Sequence, residues 1–224
     1  MYLIRQVVGL RGVKMVKEAR ERKNEILDAA EYLFARKGYD GTSTGDILSR
    51  VGIARGTLYY HFRSKEEILD MLVERISYSL IENARQVAAD KDIPAVDRIV
   101  AAVNCLKPRS DIGGKILEQV HRPQNALMHQ KMERILLEGV TPVLAEIIED
   151  GVKERVFDTK HPLYAAELLL VYAEMAFDET FEQTESELLS RVAAFIYHAE
   201  RVLGAKEGSL QKPFRDMFSQ IDKL

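Results

Sequence analysis

The chain has 224 residues, 46% hydrophobic and 30% charged, with a formal net charge of -3, a single cysteine and no tryptophan. That length suits one large domain or two small ones with a real buried core, and the composition is that of a globular chain, not a disordered or collagen-like one. No apolar run approaches the roughly 20 residues that cross a bilayer, which excludes a membrane-spanning helix, and a lone Cys105 excludes an intramolecular disulfide and fits a reducing cytosol.

Residues 1–14 carry Arg5, Arg11 and Lys14 without an acid, and their apolar stretches are too short for a secretory core. They are either a basic arm or a mis-assigned start ahead of Met15, where a strong helical pattern begins. The charge is uneven: residues 1–67 hold 13 Lys/Arg against 9 Asp/Glu, net +4, while the remainder holds 19 against 26, net -7. A basic end on an acidic body suits a protein that meets a polyanion with one end only.

The elements are helical throughout. Ile26, Ala29, Ala30, Leu33 and Phe34 fall at i, i+3, i+4, i+7 and i+8, one stripe of a helix, and Gly38 supplies its stop. Ser43-Thr44-Gly45-Asp46 has the form of a capping box opening a short helix, with Ile47, Leu48 and Val51 inward and Gly52 ending it. A second short helix covers 55–62, anchored by Leu58 and Phe62 at i, i+4, which leaves Arg55, Thr57, Tyr60 and His61 facing out. A second capping box, Ser64-Lys65-Glu66-Glu67, opens a long helix to about Ala89 with Ile68, Leu69, Leu72, Val73, Ile76 and Leu80 as its apolar side. Further helices are expected at 94–106, 114–121, 123–155, 162–181 and 185–203, with 107–113 as the clearest internal loop. The 163–181 segment is apolar on nearly all sides, as expected of a helix buried among others. The tail 204–224, with Phe214, Met217 and Phe218, adds a short amphipathic segment. With no alternating strand pattern and no internal repeat, the fold class is all-α: an N-terminal three-helix domain at 15–67, a larger helical domain at 68–205, and a C-terminal tail at 206–224.

Two short helices joined by a tight Gly-containing turn, packed on a longer preceding helix, form a helix-turn-helix, whose second helix must be short and held on one face so that the other can enter a DNA major groove. The residues around it resemble those of the TetR/AcrR family of transcriptional regulators. The resemblance is carried by Gly38-Tyr39-Asp40-Gly41-Thr42-Ser43, Asp46-Ile47, Val51-Gly52-Ile53, and above all by Gly56-Thr57-Leu58-Tyr59-Tyr60-His61-Phe62-Arg63-Ser64-Lys65-Glu66-Glu67. It covers about 50 residues. Thr44, where the family has a branched apolar residue, and Leu48 and Val51, where Ala is common, depart from it and bear on packing, not on the DNA face.

The resemblance implies that Thr42 and Ser43 hold phosphates and that Arg55, Gly56, Thr57 and Tyr60 lie against base edges and sugars. Tyr59, His61 and Lys65 would make or support backbone contacts. Ser43 and Ser64 can equally act as caps alone, and Tyr59 can be partly core. A cation at Lys65 opposes the positive end of the helix it begins, which favours a phosphate role. The resemblance further implies a homodimer built on the last two long helices, where Leu188, Leu189, Val192, Phe195, Ile196 and Leu203 form an apolar seam, part of which must pack within the subunit. It also implies a pocket for a small-molecule effector, lined by Asn104, Cys105, His121, Met128, Met132, Tyr172 and Met175, although Met128 and Met132 also suit plain core packing. Glu174 and Asp178 could face a cationic ligand or simply solvent.

The expected function is a cytoplasmic repressor on a palindromic double-stranded DNA operator, without enzymatic activity, cofactor or metal. The alternative is an all-α small-molecule binding or enzymatic protein with a vestigial helix-turn-helix. Gly41-Thr42-Ser43-Thr44-Gly45 has the spacing of a hydrolase nucleophile elbow, but that chemistry demands a preceding strand, and a helix stands there instead. His61, His121, His129, His161 and His198 show no tight ligand spacing, and Gly113-Gly114-Lys115 lacks the upstream glycine of a phosphate loop.

Overall fold

The computed structural model describes residues 2–107, 111–177 and 184–218, with side chains from 17 onward except 111 and 112. Among the described residues every regular element is helical: α1 Tyr2–Lys37, α2 Thr44–Val51, α3 Arg55–His61, α4 Lys65–Ala89, α5 Ala95–Asn104, α6 Asp111–Val120, a 3-10 turn Pro123–Asn125, α7 Ala126–Lys153, α8 Pro162–Ala176, α9 Glu185–Leu203 and α10 Gln211–Phe218. None is long and apolar enough to cross a membrane. The chain divides into two compact units, residues 1–75 with 110–128, and 76–109 with 129–224. The division falls inside α4, with no linker, and the segment bearing α6 belongs with the first unit, where it packs on α1.

In the first unit the stripe of α1 is buried as its spacing requires: Ile26, Ala29, Ala30, Leu33 and Phe34 join Ile47, Leu58, Phe62, Ile68, Leu69, Leu72 and Val73. Only Ile47 of α2 is fully buried; Leu48 and Val51 are half-buried, because a helix of eight residues turns only one narrow face inward. Arg75 reaches from α4 to Asp28 (2.6 Å) and to Glu31 of α1.

The second unit has a core drawn from the later part of α4, α5, most of α7, and α8 to α10. Arg98, 1% exposed, stitches it by donating to Ala88 O (3.1 Å), Asp150 (2.9 Å) and Glu154 (3.2 Å). A guanidinium taken out of water needs this density of acceptors. One expectation changes here: Gly113, expected at the end of a loop, lies in α6, which begins at Asp111 and not at 114. In the 163–181 segment, expected to be buried among helices, Ala165, Ala166 and Ala176 are buried within the chain, while Leu168, Val171 and Met175 stand 57%, 47% and 63% exposed. Asp178 and Phe181 lie outside the described residues.

Candidate nucleic-acid interface

The loop into α2 is built from the side chains of the motif itself. Thr42 is buried, its hydroxyl donating to Gly38 O (2.8 Å) at the end of α1 and to Leu33 O (3.3 Å). Ser43 caps α2: its Oγ accepts from Asp46 N–H (3.1 Å), while Asp46 accepts from the Ser43 N–H (2.8 Å), the reciprocal pair the sequence announces. Lys37 lies 2.6 Å from Asp46. With that ammonium first and the Ser43 hydroxyl and N–H next, the Asp46 carboxyl is held well below the usual carboxylate range. Gly52 closes α2 in the left-handed region (φ 72°).

Across that turn α3 is fixed from beneath by Leu58 and Phe62, each 1% exposed, with the Lys23 ammonium 5.4 Å from the Phe62 ring centroid. The outer face carries Arg55, Gly56, Tyr59 and Tyr60, the last 79% exposed, with Thr57 and His61 half-buried. Nothing lies within 4 Å of where a Cβ on Gly56 would stand. The Arg55 guanidinium beside the Tyr59 hydroxyl, and Thr44 after it, lower the Tyr59 pKa, so this phenol spans the start of α2 and the start of α3. Burial, followed by the charges of Lys23 and Arg22, lowers the His61 pKa below its ordinary value; its ring sits edge-on to Tyr60 at 5.0 Å.

Lys65 is turned inward. Its ammonium donates to Tyr39 O (2.9 Å) and Thr42 O (3.0 Å) and lies 4.1 Å from the Tyr39 ring centroid. The cation that seemed out of place at a helix start is explained by these carbonyls, which sequence spacing does not reveal. α4 is opened by Ser64, whose Oγ accepts from Glu67 N–H (3.2 Å), while Glu67 reaches one residue further back to the Arg63 N–H (2.6 Å).

Of the seven residues expected around an effector, His121 and Met128 lie in the first unit and the other five in the second. Asn104 ends α5 with its Oδ1 enclosed and without a donor among the described residues, and Cys105 is buried beside it. Met132 is buried in α7, Tyr172 stacks on Phe195 at 6.1 Å, and Met175 is exposed. A cavity of about 200 Å3 lies in the second unit, and none of the seven lines it; its walls are other residues of α5 and α7 to α10. Because α8 is apolar nearly all round, no one-sided pattern marked which of its residues face this space. No group of three His, Cys, Asp or Glu suited to a metal occurs among the described residues.

A short helix anchored by two residues with its outer face open, set across a tight turn from a capped helix and continued by a helical body, defines a helix-turn-helix regulator of the two-domain, all-helical class. Two family models match the chain in order: Bacterial regulatory proteins, tetR family, over residues 26–72, and Tetracyclin repressor-like, C-terminal domain, over residues 111–197. Together they take in more than half of it. The chain belongs to the tetR family of bacterial regulatory proteins.

Among its relatives is the biofilm operon icaADBC HTH-type negative transcriptional regulator IcaR of Staphylococcus aureus strain Newman, 36% identical over 77 residues, 34% of this chain and 41% of IcaR. IcaR of Staphylococcus epidermidis is 50% identical over 52 residues, 23% of this chain and 28% of that protein. The match thus spans less than half the length of either relative. Of solved structures, RolR in complex with the ligand resorcinol superposes with a TM-score of 0.59 at 15% identity, over 90% of this chain and 95% of RolR. A TetR-family regulator from Pectobacterium atrosepticum gives 0.57 at 20%, over 84% and 96%. At such identities the likeness is one of fold.

Proposed function

We propose that the protein is a cytoplasmic, homodimeric transcriptional repressor that binds a palindromic DNA operator and leaves it when a small molecule occupies the second unit. The observation that carries this reading is the outer face of α3, where Arg55, Gly56, Thr57 and Tyr60 are presented while Leu58 and Phe62 are sunk beneath them. These four meet base edges and sugars in the major groove. Ser43 and the backbone N–H groups that open α2 receive a phosphate, with Tyr59 and His61 on the backbone alongside. Thr42 and Lys65 act from behind, their polar groups engaged in shaping the α1–α2 loop.

Pairing of two copies is supported by the exposed apolar side chains on α8 (Leu168, Val171, Met175) and α9 (Leu189, Tyr197). Release by a ligand is supported by the cavity in the second unit and by RolR, whose structure contains resorcinol. α4 is common to both units and is the natural lever: ligand and DNA would favour different separations of the two reading helices, which must lie roughly 34 Å apart to reach successive major grooves. Repression is the direction in which IcaR is named to act.

Selection of duplexes from a random DNA library by the purified protein tests the reading. Enrichment of a palindrome is expected; a folded, dimeric sample that enriches nothing, with or without candidate ligands, would overturn it. Affinity for the selected duplex should also fall steeply with salt, since phosphate contacts release counterions, and a flat response would count equally against DNA as the partner.

A further inference from the structure

The cavity in the second unit is walled by α5, α7, α8, α9 and α10, and among the described residues every side chain facing it is aliphatic, aromatic or methionine. Four phenylalanines crowd one side: Phe195 lies 5.6 Å from Phe177, 6.2 Å from Phe214 and 5.7 Å from Phe218, ring centre to ring centre. Water has nothing to bond to in such a space, and apolar cavities of this kind stay dry. A native core holds few voids of this size, and the lining residues described give an entering carboxylate, ammonium or hydroxyl no partner.

From this lining we infer that the cavity is the binding site for an uncharged, predominantly hydrocarbon molecule, a substituted aromatic ring or short branched chain of roughly eight to ten non-hydrogen atoms, given that about 150 Å3 admits benzene. The inference rests on the effector-domain reading above and gives that effector its chemistry. α10 closes one side of the cavity. It contributes Phe214, Met217 and Phe218, and it is joined to α9 through a segment bracketed by two glycines with positive φ, Gly204 (64°) and Gly208 (82°). The buried Glu200 carboxylate pins that segment by accepting the N–H groups of Gly208 (3.0 Å) and Leu210 (2.9 Å).

The test measures the thermal midpoint and calorimetric binding of the full chain with ethylbenzene, with benzoate as the charged ring of similar size, and with hydroquinone as the hydroxylated one. Ethylbenzene at about a hundred times its Kd should raise the midpoint by roughly 5 °C, and the other two should not. Ala173→Leu, which fills the space from α8, should abolish the ethylbenzene shift. Phe214→Ala, which enlarges it, should move the preference toward naphthalene and keeps the proposal open to refutation if the first variant does not fold. Equal shifts from benzoate and ethylbenzene, no shift from any probe, or an unchanged preference in Phe214→Ala would overturn it. Duplex binding is read on the same samples. Ethylbenzene that binds and weakens duplex binding supports site and regulation together; ethylbenzene that binds without touching duplex affinity refutes the regulatory role of the site. Ethylbenzene binding in a protein that takes no duplex refutes the DNA reading and leaves the cavity assignment standing.

Discussion

At the residue scale, Gly56 and Lys65 separate fold from recognition. A methyl group at Gly56 would meet nothing within 4 Å beyond its chain neighbours and the backbone of its own helix, and alanine is the better helix former by about 0.5–1 kcal/mol. Gly56→Ala should therefore melt at or above the wild-type temperature yet bind the selected duplex more weakly, roughly tenfold or more, the scale of one lost base contact. A stable variant with unchanged affinity would remove Gly56 from the interface. Tyr60→Ala and Lys65→Ala should both weaken duplex binding but for different reasons. Tyr60 is almost wholly solvated, so its loss should leave the melting point alone. Lys65 holds two loop carbonyls, so its loss should lower the melting point and speed amide exchange around residues 39–43 as well. Unchanged exchange in Lys65→Ala would refute the inward role. The difference between these side chains also marks what could be read beforehand. Leu58 and Phe62 were legible as an anchor because i, i+4 spacing is a local property of a helix. The partners of Lys65 lie 23 and 26 residues away and are backbone atoms, which no pattern of side chains encodes.

At the scale of elements, α2 is held by its cap more than by its length. The Asp46 carboxyl titrates well below the ordinary carboxylate value, with Lys37 as the first cause. Its folded pKa is depressed, so its contribution to stability is complete above the unfolded value near 4 and is lost as pH falls through that value toward the folded one. Asp150 of α7, paired first with Lys91, has the same sign. From these groups the melting temperature should be level between pH 5 and 8 and fall below about pH 4. Asp46→Asn should be less stable than the wild type at pH 7, with the gap narrowing steadily as pH falls below about 4; a gap that stays constant from pH 5 down to pH 2 would show that the carboxylate charge is not what matters. The reciprocal cap was legible because Ser43 and Asp46 are three residues apart. The course of α4 was not: its composition is even along its length, so nothing in the sequence marked that it runs from one compact unit into the other, or joined α6 to the first of them.

At the scale of the whole molecule, the all-round hydrophobicity of α8 divides between two faces, and a helix can be apolar all round because each of two faces has its own partner. One face of α8 lines the cavity; Leu168, Val171 and Met175 look outward. Val171→Glu combined with Leu189→Glu should convert a dimer to a monomer in sedimentation and abolish operator binding, because one reading helix alone reaches only a half-site. A double variant that still sediments as a dimer would place the interface elsewhere.

The open space around Gly56 also decides how damage there would be inherited. A subunit altered at that glycine keeps its core and its exposed α8 and α9 side chains, so in the homodimer proposed above it would go on pairing with intact copies. Each mixed pair would carry one working reading helix where the operator asks for two. In a cell holding both alleles the altered one would then be dominant, silencing its partner's product by company. An allele that unfolds the chain removes only itself and would be recessive.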